Sequence, residues 1–338
     1  MKNFKNIFFT MHRLWIVLVI RYSIVSIAAT AAVPSDTLSF IHITDTHVIF
    51  GLTNYHPNIE QKRRHFGDGI KPLEHFFTSV QKNIQPDFMV ITGDLIDFFG
   101  AEISPGVMVD TQVEQFLRLL DVNYFPVYLT LGNHDIASDF VTVDSYSTSQ
   151  ITAQRARAVW IRNTPCFKDG TYYSRVFKVD TTTYRLIFLD NSYYSRDRKK
   201  DGDLPFIIDK PQLYWLEDQM KQSLNDVEII FMHMPIPDNY GLSTDALLSD
   251  SSKTGSITLF KILDGNPSAR LIFMGHNHTN IIKDLSFSDD HKLTQVQTAA
   301  FGYDPGNWRL IKLTAGKILI SNPGNPQIQI EIPIRKKN

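Results

Sequence analysis

The sequence predicts an α/β fold in which two packed sheets carry helices on their outer faces. Three observations point to it: short apolar runs that each end in polar residues, helical periodicities between them, and a hairpin signature in the middle of the chain. The runs are Ser39-Phe40-Ile41-His42-Ile43 before Thr44-Asp45, Phe88-Met89-Val90-Ile91 before Thr92-Gly93-Asp94, and Pro126-Val127-Tyr128-Leu129 before Gly132-Asn133-His134. Two more follow, Glu228-Ile229-Ile230-Phe231 before His233 and Leu271-Ile272-Phe273 before Gly275-His276. Near-continuous β-branched and aromatic runs suit strands buried on both faces. Leu73, Phe76, Phe77, Val80 and Ile84 recur at helical spacing with Pro72 near the start, and Val113, Phe116, Leu117 and Leu120 do the same. Tyr172 to Val179 and Tyr184 to Leu189, across a Thr-rich turn, read as the antiparallel hairpin. In open α/β sheets ligands bind beyond the carboxyl ends of the strands, where all five polar clusters fall.

Composition narrows the chemistry. With 338 residues, 43% of them hydrophobic, the chain can bury a large core, which excludes disordered and collagen-like classes. Its one cysteine, Cys166, excludes an intramolecular disulfide framework and a cysteine-cluster zinc site. The formal net charge of -1 argues against a nucleic-acid polymer as partner. Imidazole and carboxylate remain as the plentiful metal and acid-base groups, from 11 His and 35 Asp and Glu.

Residues 1–32 are expected to be a signal peptide. Lys2, Lys5, Arg13 and Arg21 are unaccompanied by any acid, and an apolar stretch from Leu14 closes in Ala28-Ala29-Thr30-Ala31-Ala32. Met11 offers an alternative start. The remainder, 34–338, shows no linker, repeat or low-complexity tract and reads as a single domain. Loss of the leader moves the formal charge from -1 to -5, since four cations leave and no acid does. With no disulfide, and with its one sequon, Asn277-His278-Thr279, inside a polar cluster, a secreted or periplasmic bacterial protein is expected. The alternative is an uncleaved leader that anchors the chain to a membrane.

Each polar cluster has a chemical and a bland reading. Asp45-Thr46-His47 places carboxylate and imidazole two apart, on one face of an extended chain, or is simply the start of a loop. Gly93-Asp94 is a common turn, or a carboxylate whose two oxygens bridge two cations. In Gly132-Asn133-His134-Asp135 the Asn carbonyl is an adequate hard ligand and His134 points elsewhere, toward substrate. His233 alone would be an ordinary core histidine, while Gly275-His276-Asn277-His278 again sets two imidazoles on one side or forms an exposed loop.

Taken in order, D-x-H, G-D, G-N-H-D, H and G-H-x-H, these residues resemble the calcineurin-like metallophosphoesterase superfamily from Asp45 to His278. The resemblance implies a four-layer αββα sandwich of two mixed β-sheets flanked by helices. It implies two divalent metal ions, Mn, Fe or Zn by the mixed N/O donors: one held by Asp45, His47, Asp94 and His278, the other by Asp94, Asn133, His233 and His276. The implied reaction is phosphoester hydrolysis, with a metal-bridging hydroxide attacking phosphorus in line. His134 is the unligated histidine that contacts the phosphoryl oxygen or protonates the leaving alkoxide. Asp97 or Asp135 would orient it, unless either is a turn aspartate.

Departures narrow the branch. Phe98 stands where the Ser/Thr phosphatases continue with Arg, and Asp97 where purple acid phosphatases carry a metal-binding Tyr. The intact histidine motifs look most like class III cyclic nucleotide phosphodiesterases and glycerophosphodiesterase relatives, so a small phosphodiester is the expected substrate. A phosphomonoesterase or nucleotidase, or a non-catalytic metal-stabilised binding protein, is the alternative. Lys62-Arg63-Arg64-His65 reads as a solvated face or a phosphate contact, Tyr193-Tyr194 as a surface loop rimming the cleft, and Phe301-Gly302-Tyr303 as a base-stacking element or sheet packing.

Overall fold

All five apolar runs form strands. The structure is a computed structural model, and it describes residues 36–67, 69–194, 204–223, 225–237, 258–287 and 291–334; the expected leader lies outside them. Strands are numbered in chain order. β1 (Thr37–Ile43), β2 (Phe88–Thr92) and β5 (Val127–Thr130) lie parallel side by side. β16 (Arg309–Thr314), β17 (Lys317–Ser321) and β18 (Ile328–Pro333) extend this sheet from β1 in antiparallel fashion, giving the order β18-β17-β16-β1-β2-β5. The second sheet runs β14-β15-β13-β12-β9-β8. Its strands are β8 (Tyr173–Val179), β9 (Thr182–Phe188), β12 (Val227–Phe231), β13 (Ala269–Met274), β14 (Ile281–Ser286) and β15 (Lys292–Gln297). β9, β12, β13 and β15 are parallel neighbours, while the expected hairpin is β8 against β9, with Val179 opposite Thr182.

Alternation along the strands decides the layers. On β1, Phe40 and His42 face the second sheet: Phe40 meets Phe231 at 5.7 Å and Phe273 at 5.8 Å, and His42 lies 4.9 Å from Phe273. Stacked pairs Phe188–Phe231 and Phe231–Phe273, at 4.9 and 5.4 Å, continue the seam across the second sheet. Rings this large dominate the burial energy of an interior. The helix Ile70–Asn83 buries Leu73, Phe76, Phe77 and Val80, as its periodicity required, and Gln112–Leu120 buries Val113, Phe116 and Leu119. Both belong to the cluster that includes Ile41, Ile43 and Met89. On the other side Leu213, Leu216 and Met220 of the helix Lys210–Gln222, with Ile262 and Leu263 of Leu259–Asp264, cover Ile187, Ile230 and Ile272. The result is the mixed αββα sandwich that the sequence predicts.

Two features were not anticipated. A four-stranded sheet of order β4-β3-β6-β7 is built from β3 (Gly100–Ser104), β4 (Val107–Val109), β6 (Ser138–Val141) and β7 (Tyr146–Ser149). Its strands are three to five residues long, too short for alternation to register. A two-residue ribbon pairs β10 (Tyr193–Tyr194) with β11 (Phe206–Ile207). No helix among the described residues is long and apolar enough to cross a membrane.

Candidate metal centre

The parallel strands deliver their polar ends to one place. Loops leaving β1 and β2 are joined by backbone hydrogen bonds, Asp45 N–H to the Gly93 carbonyl at 3.0 Å and His47 N–H to that of Asp94 at 2.9 Å. Gly275 N–H likewise reaches the His233 carbonyl at 3.0 Å, tying the β13 loop to the β12 loop. The side chains do not share a face by extension, as their spacing suggested. Asp45, His47, Asp94, His276 and His278 all adopt left-handed backbone, with φ of 51°, 44°, 47°, 70° and 55°. Such conformations are costly away from glycine and persist where the surroundings enforce them. Gly275 has a different reason to be glycine: a Cβ there would overlap the Thr44 hydroxyl and the Asp45 carboxylate.

Among the described residues three groups of donors result; two face the centre, Asp45, His47 and His278, and Asp94, His233 and His276, while the third, His47, Asp97 and His134, is taken up by hydrogen bonds among its own members. In the first, His278 Nε2 is 3.2 Å from Asp45 Oδ1 and 3.3 Å from His47 Nε2. Between the groups, Asp94 Oδ2 is 3.1 Å from His233 Nε2 and 3.7 Å from His47 Nε2. Asp94 therefore presents one oxygen to both groups. The other, Oδ1, accepts the His134 backbone N–H at 2.9 Å.

Second partners fix how the rings are turned. His47 Nδ1 lies 3.0 Å from Asp97 Oδ1, and His233 Nδ1 2.9 Å from the Thr92 carbonyl. With Nδ1–H donating, both rings aim an Nε2 lone pair inward. His276 Nε2 is engaged by the Tyr194 hydroxyl at 2.8 Å, which leaves Nδ1 to face the centre. Imidazole nitrogens and carboxylate oxygens at 3.1–3.3 Å attract one another only through a shared proton or a cation between them. One buried atom sharpens the point: Asn133 Oδ1 has no hydrogen-bond partner. Although burial opposes it, the Asp94 carboxylate pushes the His233 pKa up to about 9, so the pocket draws in positive charge. The residues present thus fit divalent cations with mixed N/O donors.

Asp97 and Asp135 separate cleanly. Asp97 spends its carboxylate on His47 and on Arg63, whose Nε is 3.3 Å away. Its backbone carbonyl accepts from His134 Nδ1 at 2.7 Å, whereas its carboxylate oxygen is 3.5 Å from that nitrogen. The expected orienting carboxylate is therefore mainly a carbonyl. Asp135 does not orient His134: Oδ1 accepts from Leu95 and Ile96 N–H at 2.9 and 3.1 Å, and Oδ2 from Gly132 N–H at 2.7 Å. It clamps the β2 loop to the β5 loop.

Arg63 departs from its expected place on a solvated face. It is buried, paired with both Asp139 oxygens at 2.9 and 3.1 Å, and it backs Asp97. Helical spacing held the signal, because Ile59, Arg63 and Phe66 are four and three apart and all three are buried. Lys62 and Arg64 are exposed, as expected of that run. Asn191 was also missed; its carbonyl oxygen accepts from the His233 N–H at 3.0 Å and holds the β12 loop.

The two mixed sheets and the donor groups between their strand ends define a metal-binding phosphoester hydrolase. The chain belongs to the calcineurin-like phosphoesterase family, whose pattern matches residues 38–280. No curated protein matches it by sequence. Among solved structures it is similar to the anchor of the inner membrane complex of Plasmodium, at 12% identity and a TM-score of 0.49 over 89% of this chain and 90% of that one. It is also similar to a purple acid phosphatase from yellow lupin, at 13% identity and 0.49, and to a 5′-nucleotidase precursor from Thermus thermophilus, at 13% and 0.42. In both of these the match covers 88% of this chain and 54% of the other.

Proposed function

We propose that this hydrolase is a phosphodiesterase acting on a small phosphoester. Asp45, His47, Asp94 and His278 would hold one divalent ion, and Asp94, Asn133, His233 and His276 a second. When bound, the ions would supply an activated water and a clamp for the phosphoryl oxygens. The chain's own groups do the rest. Asp94 Oδ2 joins the two groups, Asp97 and Thr92 hold the rings of His47 and His233, and Tyr194 holds His276. His134, with Nδ1–H directed to the Asp97 carbonyl, keeps Nε2 free to meet the phosphoryl oxygen or to hand a proton to the departing alkoxide.

The observation that carries this reading is the convergence of His47 Nε2 and His233 Nε2 on one shared Asp94 oxygen, beside a histidine, His134, that faces neither of them through its own hydrogen-bonded nitrogen. Diester preference is supported by charge. A diester brings one negative charge and a monoester brings up to two, yet the guanidinium behind the site, Arg63, is committed to Asp97 and Asp139. Export through a cleaved leader belongs to the same proposal and is supported by the basic, acid-free, apolar character of residues 1–32. The test compares an aryl phosphodiester with the matching monoester, each with Mn, Zn, Fe and Mg. Faster turnover of the diester is expected. Preference for the monoester would overturn the diesterase reading, and turnover of neither would favour a binding protein.

A further inference from the structure

On the His47 and His278 side the centre is walled by aromatic rings from two segments. Phe66 stacks on His47, with centroids 4.1 Å apart and planes at 14°. Tyr303 lies 4.8 Å from Phe66 and stands 5.0 Å from the His278 ring at 71°. His65 completes the wall, 4.2 Å from Phe66 and 6.2 Å from Tyr303. Burial divides these rings: Phe66 is covered, while Tyr303 is 56% exposed and His65 is exposed as well.

Tyr303 is held there. Phe301 N–H donates to the Thr44 carbonyl at 3.0 Å and Gly302 N–H to the Asp45 carbonyl at 2.9 Å, so the segment is stitched to the loop that carries Asp45 and His47. Phe301, by contrast, is 2% exposed and packs on Phe76 at 5.0 Å. The two aromatic residues of Phe301-Gly302-Tyr303 thus have different tasks: one fills the core, and the other is fixed in the open beside a donor histidine.

We infer that Tyr303 and His65, backed by the buried Phe66, form a subsite for a planar aromatic group carried by the phosphoester, a nucleobase or an aryl ring. The inference rests on the phosphoesterase reading and adds a substrate class to it. An ester with phosphorus between the donor groups can lay such a ring over Tyr303, next to His278. Stacking on an exposed aromatic ring is sequence-tolerant and needs no further hydrogen-bond partner.

The test measures kcat/KM of the wild type and of Tyr303→Ala and Tyr303→Phe with three diesters: 3′,5′-cyclic AMP, bis(4-nitrophenyl) phosphate and the wholly aliphatic glycerophosphoethanolamine. Tyr303→Ala is expected to lower the values for the base and aryl diesters about tenfold relative to the aliphatic one, mainly through KM, with Tyr303→Phe restoring most of the loss. Loss on cyclic AMP alone would identify a nucleobase site, and loss on both ring-bearing substrates a general aromatic one. A fall common to all three diesters, or on none, overturns the subsite. If the wild type hydrolyses none of them, the diesterase reading fails. The subsite is then decided by binding: Tyr303→Ala weakening AMP but not inorganic phosphate supports it, and equal affinities overturn it.

Discussion

Arg63 shows how much of a site can lie behind its ligands. A guanidinium is shared by the buried Asp97 and Asp139, and the Asp97 carboxylate, held below its usual range by His47 and Arg63 against the cost of burial, turns His47 toward the centre. Removing one partner of a buried ion pair leaves the others uncompensated, typically at about 3–5 kcal/mol. Arg63→Met is therefore expected to lower stability by about that amount in urea denaturation. Arg63→Lys should recover only part, because an ammonium cannot reproduce the paired contact to Asp139. A loss below about 1 kcal/mol, as for a surface charge, would contradict the role.

Loops at strand ends do the assembling. Each of the β1, β2, β12 and β13 ends is bonded to a neighbour through the backbone, and Asp135 adds three N–H acceptor contacts between the β2 and β5 loops. Asp135→Ala would strand those donors in a buried place, at about 1–3 kcal/mol for an unsatisfied group. A loss of about 3 kcal/mol or more is expected from chemical denaturation, and a change below about 1 kcal/mol would show that the clamp is not needed. The sequence made the strands legible because both faces of each are covered, and the helix Ile70–Asn83 because its apolar face is continuous. It did not disclose the left-handed turns at Asp45, His47 and Asp94, which are imposed by neighbouring loops rather than by local preference. The helix Lys210–Gln222 carries its start signal locally: the Asp209 side chain accepts from Gln212 N–H, with Pro211 in the first turn.

Across the whole molecule, two sheets from distant parts of the chain each contribute donors. Asp45, His47, Asp94 and Asn133 come from loops of the first sheet, and His233, His276 and His278 from loops of the second. The aromatic seam of Phe40, Phe231 and Phe273 fixes the sheets against each other beneath the centre. The order of the motifs therefore disclosed which residues meet at the centre, whereas the placing of Asp97, Arg63 and Tyr303 depends on packing between segments far apart in sequence. Asp94 is the residue on which both donor groups depend, and His134 belongs to neither. Metal content per chain, measured by elemental analysis after loading and desalting, separates their roles. Two ions are expected in the wild type and in His134→Ala, which should lose turnover by roughly a hundredfold or more, and fewer than two in Asp94→Asn. A full complement of metal in Asp94→Asn, or loss of metal in His134→Ala, would contradict this assignment.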